Sequence, residues 1–135
     1  MNLSVGEYKT LLSRAMEIRK NAYAPYSKYA VGAALMSSTG EIFTGVNVEN
    51  AAYSITICAE RSALFNAVST GIRNIKAIVI VTDDGGVSCG SCRQAISEFG
   101  KDVELIFATS QGEIVLETTI AELLPHSFGE DNLPG

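Results

Sequence analysis

The chain has 135 residues, of which 47% are apolar and 19% charged, and its formal charge at neutral pH is −5. That length predicts one domain over residues 1–135 with enough chain to bury a core, and that composition excludes an intrinsically disordered protein. A net acidic chain without a basic cluster argues against nucleic acid or an anionic membrane as a partner.

The first ten residues carry Glu7 and Lys9 and have no apolar stretch of the secretion-signal kind. The longest apolar runs fall far short of the roughly 20 residues that span a bilayer. A cytoplasmic location is therefore expected.

Residues 3–22 place Leu3, Leu11, Leu12, Ala15, Ile18 and Ala22 at approximate helical spacing and stop before Ala24-Pro25. Residues 29–36 read as a buried strand, residues 37–40 as a turn, and residues 41–48 as a second strand completing a hairpin. Residues 58–69 have a helical pattern closed by Gly71. The β-branched run 77–81 is typical of a central strand, and Asp83-Asp84-Gly85-Gly86 of a loop. A short helix over 92–99 ends at Gly100. Two strands follow over 103–108 and 113–117, then a last helix over 119–124 before Pro125. The order αββαβαββα predicts an α/β fold of three layers, α-β-α, with a mixed sheet of about five strands and helices on both faces.

Three cysteines cannot all pair within one chain, which suits a reducing compartment. Cys89-Gly90-Ser91-Cys92 is a CxxC, which on its own fits a redox pair, half a zinc finger or coincidence. Cys58 lies 30 residues earlier in Cys58-Ala59-Glu60-Arg61. A redox pair has no need of a third thiol two residues before a carboxylate. Both segments sit where a loop enters a predicted helix, and a helix N-terminus stabilises a thiolate. Three thiolates can hold Zn²⁺ and leave a fourth tetrahedral position for water, whose proton then dissociates near neutral pH. Their combined charge with zinc is −1, which a cation such as Arg61 beside the sulfurs would offset. Glu60 is then free to act as a general acid and base.

Cys-Ala-Glu followed by CxxC resembles the zinc-dependent cytidine deaminases of the small, homotetrameric, three-cysteine type. The resemblance covers nearly the whole chain. Residues 25–34 look like the segment leading into that family's first strand, residues 45–51 like its ribose-binding strand, and Leu123-Leu124-Pro125 with Phe128 like its C-terminal element. It implies that Cys58, Cys89 and Cys92 hold zinc. It implies that Glu60 moves a proton from water to the pyrimidine N3 and then to the departing amine, while water adds at C4. The backbone around Ala59 and Cys89 would meet the base, Asn47 and Glu49 would bind the ribose, and Tyr29 would stand where the family has an aromatic, usually Phe. Phe128 would reach a nucleoside in a neighbouring subunit of a homotetramer. Strand alternation independently puts Asn47 and Glu49 on one face.

One departure stands out. The family usually has Pro before CxxC, and this chain has Ser88, which puts the stiffness of that loop in question but not the ligands. The reaction implied is hydrolytic deamination of cytidine and deoxycytidine within pyrimidine salvage. Three other readings are weighed against it. A blasticidin S deaminase would share the zinc motifs. A nucleic-acid editor would want a basic track for the strand. A purely structural zinc module would want a fourth ligand, and the lone His126 does not match a ligand position.

Overall fold

The computed structural model describes residues 3–134. Four helices, α1 (Val5–Arg19), α2 (Ala59–Ser69), α3 (Gly90–Ser97) and α4 (Ile120–Leu123), accompany five strands, β1 (Gly32–Ser37), β2 (Ile42–Val46), β3 (Ile75–Thr82), β4 (Glu104–Thr109) and β5 (Ile114–Thr119). The strands form one sheet in the order β2-β1-β3-β4-β5. Only β3 and β4 run parallel, joined by a crossover through α3; the other pairs are antiparallel. This is the expected mixed sheet.

Period-two alternation sorts the side chains into two cores. Ala33, Leu35, Ile78, Ile80, Leu105 and Phe107 face α2, α3 and α4 and pack on Ala63, Leu64, Ile96 and Ile120. Ala34, Met36, Ala77, Val79, Val81, Ile106 and Ala108 face α1 and pack on Leu11 and Ala15. The central strand β3 is covered on both sides, which explains its run of β-branched residues.

The elements differ from their expected ranges for physical reasons. The first strand begins at Gly32 rather than at residue 29 because side chains satisfy the preceding backbone. Asn47 donates to Tyr29 O at 2.7 Å and accepts from Val31 N at 2.9 Å, and Arg19 Nε donates to Ala30 O at 2.9 Å. The second strand stops at Val46, and Val48 instead exchanges both backbone bonds with Ile57. α3 begins at Gly90, so Cys92 lies in its first turn instead of at its start. A short 3₁₀ turn at Tyr53–Ile55 has no hydrophobic period and was not expected.

The register decides where a site can form. Gly32 at the start of β1 pairs with Val46 at the end of β2 and with Val81 near the end of β3. Residues 23–31, 47–49 and 83–89 therefore meet at one end of the sheet. The N-termini of α2 and α3 arrive at the same end. Ligands of open α/β sheets bind in this position, beyond the carboxyl ends of the parallel strands.

Candidate functional site

Cys58 and Cys89 are the N-cap residues of α2 and α3, both in extended conformation, and neither side chain caps its helix. The two sulfurs are thereby left free to face each other, at 3.8 Å. Cys92, fully buried, completes a cluster in which all three Sγ atoms lie within 4.8 Å of one another. Tetrahedral zinc with Zn–S bonds of about 2.3 Å needs sulfurs about 3.8 Å apart. The donor set, the spacing and the charge around it all fit zinc. Arg61, one turn into α2, donates from Nη2 to Cys58 Sγ at 3.6 Å, and its buried Nε has no hydrogen-bond partner among the described residues. A cation held this way suits a net-negative three-thiolate centre.

The thiols are already polarised. Hydrogen bonding from Cys92, joined by Arg61 and Cys89, pulls the Cys58 thiol down to about 5 against the cost of its burial. Cys92 moves the other way, because its proton is held against the Cys58 thiolate and it is buried. A divalent cation bound by these sulfurs displaces the thiol protons.

Glu60 is 5% exposed. Burial raises its carboxyl above the usual range, while the hydroxyl of Ser88, donating to Oε2 at 2.5 Å, opposes the rise. Glu60, Cys58 and Cys89 line a cavity of about 310 Å³. Tyr29, Val31, Asn47, Glu49, Thr82 and Val87 are among its other lining residues. The volume lies at the lower end of the range for small-molecule sites.

The description "Cytidine and deoxycytidylate deaminase zinc-binding region" belongs to the family profile that matches residues 6–109. This chain belongs to that deaminase family. The cytidine deaminase of Sporosarcina psychrophila is 46% identical to it over 129 residues, spanning 94% of this chain and 95% of the relative. The blasticidin-S deaminase of Bacillus cereus is 37% identical over 112 residues, spanning 76% and 79%. The crystal structure of cytidine deaminase from Burkholderia pseudomallei matches with a TM-score of 0.85 at 41% identity, covering 90% of this chain and 98% of that one. The fold is that of the solved cytidine deaminases, and the protein is a zinc-binding enzyme.

Most of the site residues expected from the sequence converge in the deaminase. Cys58, Cys89, Glu60, Tyr29, Asn47 and Glu49 share the cavity, Cys92 clusters with its two cysteines, and Arg61 bonds to Cys58. Ala59, between Cys58 and Glu60, is fully buried and is not among the residues that line the cavity. Asn47 and Glu49 have a role the sequence did not disclose. Asn47 holds the backbone of residues 29–31. The Glu49 carboxylate accepts from Tyr26 N at 2.9 Å, from Ser27 N at 3.1 Å and from the Ser27 hydroxyl. Phe128 lies elsewhere, 59% exposed on a groove with Arg73, Lys101 and Glu130.

Two contributors escaped the sequence reading. Ser88 was seen only as a missing proline, yet its hydroxyl reaches Glu60 from 28 residues away. Thr82 accepts from Gly85 N at 2.7 Å and Gly86 N at 2.9 Å and shapes the loop that leads to Cys89. A hydroxyl residue three and four places before two glycines is a local turn signal that could have identified Thr82; no local signal exists for Ser88.

Proposed function

We propose that this deaminase hydrolyses the C4 amino group of cytidine and deoxycytidine, giving the uracil nucleoside and ammonia. The observation that carries the reading is a three-thiol cluster, two of whose cysteines line a cavity of about 310 Å³ together with the buried carboxyl of Glu60. Cys58, Cys89 and Cys92 are the residues that hold zinc, with Arg61 balancing their charge. Bound zinc supplies Lewis acidity that lets water deprotonate near neutral pH.

Glu60 carries the protons. It accepts one from water as oxygen adds at C4 and delivers it to N3; it then takes the second from the new C4 hydroxyl and passes it to the amine, which leaves as ammonia while the C4 carbonyl forms. A carboxyl whose pKa burial has raised suits that alternation, because it can hold a proton as well as return one. The backbone at Ala59 and Cys89 faces the base. Glu49 keeps an acceptor site on Oε2 beyond the three bonds from residues 26–27, and with Asn47 it offers polar partners to the sugar. Tyr29 lines the same cavity.

In the same reading, residues 1–135 are a single domain, the protein is cytoplasmic and serves pyrimidine salvage, and four copies assemble so that Phe128 reaches a neighbour's site. Among the described residues no helix is long and apolar enough to cross a membrane. The acidic charge of −5 supports a free nucleoside over a nucleic acid as substrate.

The test is ammonia release from cytidine by zinc-replete protein, beside a Glu60→Gln variant. The wild type releases ammonia, and the variant keeps its zinc but loses about 10²- to 10⁴-fold in rate. Undiminished turnover in Glu60→Gln would remove Glu60 from the mechanism. No turnover of cytidine by folded, zinc-loaded wild type, with turnover of blasticidin S, would transfer the substrate assignment to the class for which the Bacillus cereus relative is named.

A further inference from the structure

We infer that Ser88 is a positioning residue for Glu60, fixing its carboxyl for proton transfer through the hydroxyl that a proline at this place would lack. The inference rests on the reading of Glu60 as the proton carrier. Ser88 and Glu60 are each 5% exposed, and the Ser88 hydroxyl donates to Glu60 Oε2 at 2.5 Å. The bond joins the loop after β3 to the first turn of α2, the two segments that also carry Cys89 and Cys58.

The serine is itself held. Its carbonyl accepts from Arg93 Nε at 2.9 Å, and the same guanidinium donates from Nη1 to Leu123 O at 3.0 Å. The loop before it is braced by Thr82, which accepts from two of its backbone amides, and by Tyr29, whose hydroxyl donates to Asp84 Oδ1 at 2.6 Å. The backbone that carries the hydroxyl is therefore held in place beside Glu60.

A hydroxyl is also the right chemistry for a carboxyl that must gain and lose a proton. It donates to the carboxylate and, after rotating about its C–O bond, accepts from the carboxylic acid. Both states of Glu60 keep a partner, so neither leaves a buried oxygen or proton unsatisfied. The bond engages Oε2, which restrains the plane of the carboxyl group. Proton transfer depends steeply on such placement.

The experiment compares wild type, Ser88→Ala and Ser88→Thr for kcat and KM on cytidine, zinc content, and melting temperature alone and combined with Glu60→Ala. Ser88→Ala is expected to lower kcat about 10-fold while KM changes less than about twofold and zinc stays bound. Ser88→Thr, which keeps the hydroxyl, restores most of kcat. In the melting temperatures, Ser88→Ala is expected to cost much less on the Glu60→Ala background than on wild type, because the bond is already gone. Unchanged kcat in Ser88→Ala, or strict additivity of the two melting shifts, would overturn the inference. Failure of the underlying reading looks different: Glu60→Gln would then turn over normally, whatever Ser88 does.

Discussion

Arg61 donates to Cys58 Sγ at 3.6 Å from one turn along the helix that Cys58 caps. Its guanidinium is held in its charged state first by that bond. A three-thiolate zinc centre carries −1, and a cation in contact with its sulfur both stabilises the centre and withdraws charge from it. Arg61→Gln is therefore expected to weaken zinc binding about 10- to 100-fold, read by competition with a chromophoric chelator. Unaltered affinity would reduce Arg61 to a packing residue. Cys58, Glu60 and Arg61 were legible in the sequence because helical spacing fixes their relations within one turn. Ser88 was not legible, because its partner lies 28 residues away and only the crossing of two segments brings them together. Asn47 and Glu49 were legible as a polar pair on one face. Their bonds to residues 26–31 were not, because a strand pattern says nothing about which neighbouring segment a side chain will hold.

The thiols meet because α2 lies tightly on the sheet and α3 packs beside α2, and one glycine allows the first of these contacts. A Cβ on Gly45 of β2 would stand 2.3 Å from Ala63 N and 2.8 Å from Ala59 O, both in the backbone of α2. Neither atom can move without the helix. Gly45→Ala is expected to cost about 1–3 kcal/mol in stability. It should also weaken zinc binding, since α2 carries Cys58 while α3 carries Cys89 and Cys92. Thermal melts with parallel zinc titrations check both effects; loss of stability with zinc affinity intact would show that α2 can shift without disturbing the thiols. Gly32 plays the matching part on the opposite face, where a Cβ would stand 2.2 Å from Ala15 O of α1. α1 is fixed further at its start. Ser4 and Glu7 form a reciprocal cap, and Glu7 also accepts from Lys76 of β3 at 3.0 and 3.2 Å. The Ser4 backbone bond, then Lys76, lowers the Glu7 carboxyl below its ordinary 4.5. A depressed carboxyl stabilises the fold above its unfolded value and loses that contribution as pH falls through the folded one. The stability gap between wild type and Glu7→Gln should thus be widest near neutrality and close below pH 4.5, as denaturant melts at several pH values would show; a gap that persists in acid would contradict this. Every helix and strand was legible from periodicity to within a few residues. The ends moved where side chains, rather than ladder partners, satisfy the backbone.

At the scale of the whole molecule, the proposed tetramer makes each site draw on two chains. Phe128 is 59% exposed and lies away from the cavity that holds Glu60, so within one chain it has no part in that site. Its backbone is nonetheless fixed, with Phe128 O accepting from Gln94 Nε2 at 3.1 Å. A large aromatic ring held outward in this way suits a role across a subunit boundary, as the proposed tetramer requires. Closed symmetry repeats any such contact at every site. Complementation gives a direct test. Glu60→Gln chains lack the proton carrier but keep Phe128; Phe128→Ala chains keep Glu60 but lack the ring. If sites are shared, co-expressing the two at equal levels creates sites that draw an intact Glu60 from one chain and an intact Phe128 from the next, about a quarter of the total for random assembly. Activity of the mixed oligomer should then exceed the mean of the two parents, and sedimentation should give a single species of four chains. A mixture no better than that mean would confine each site to its own chain and leave Phe128 as a surface residue.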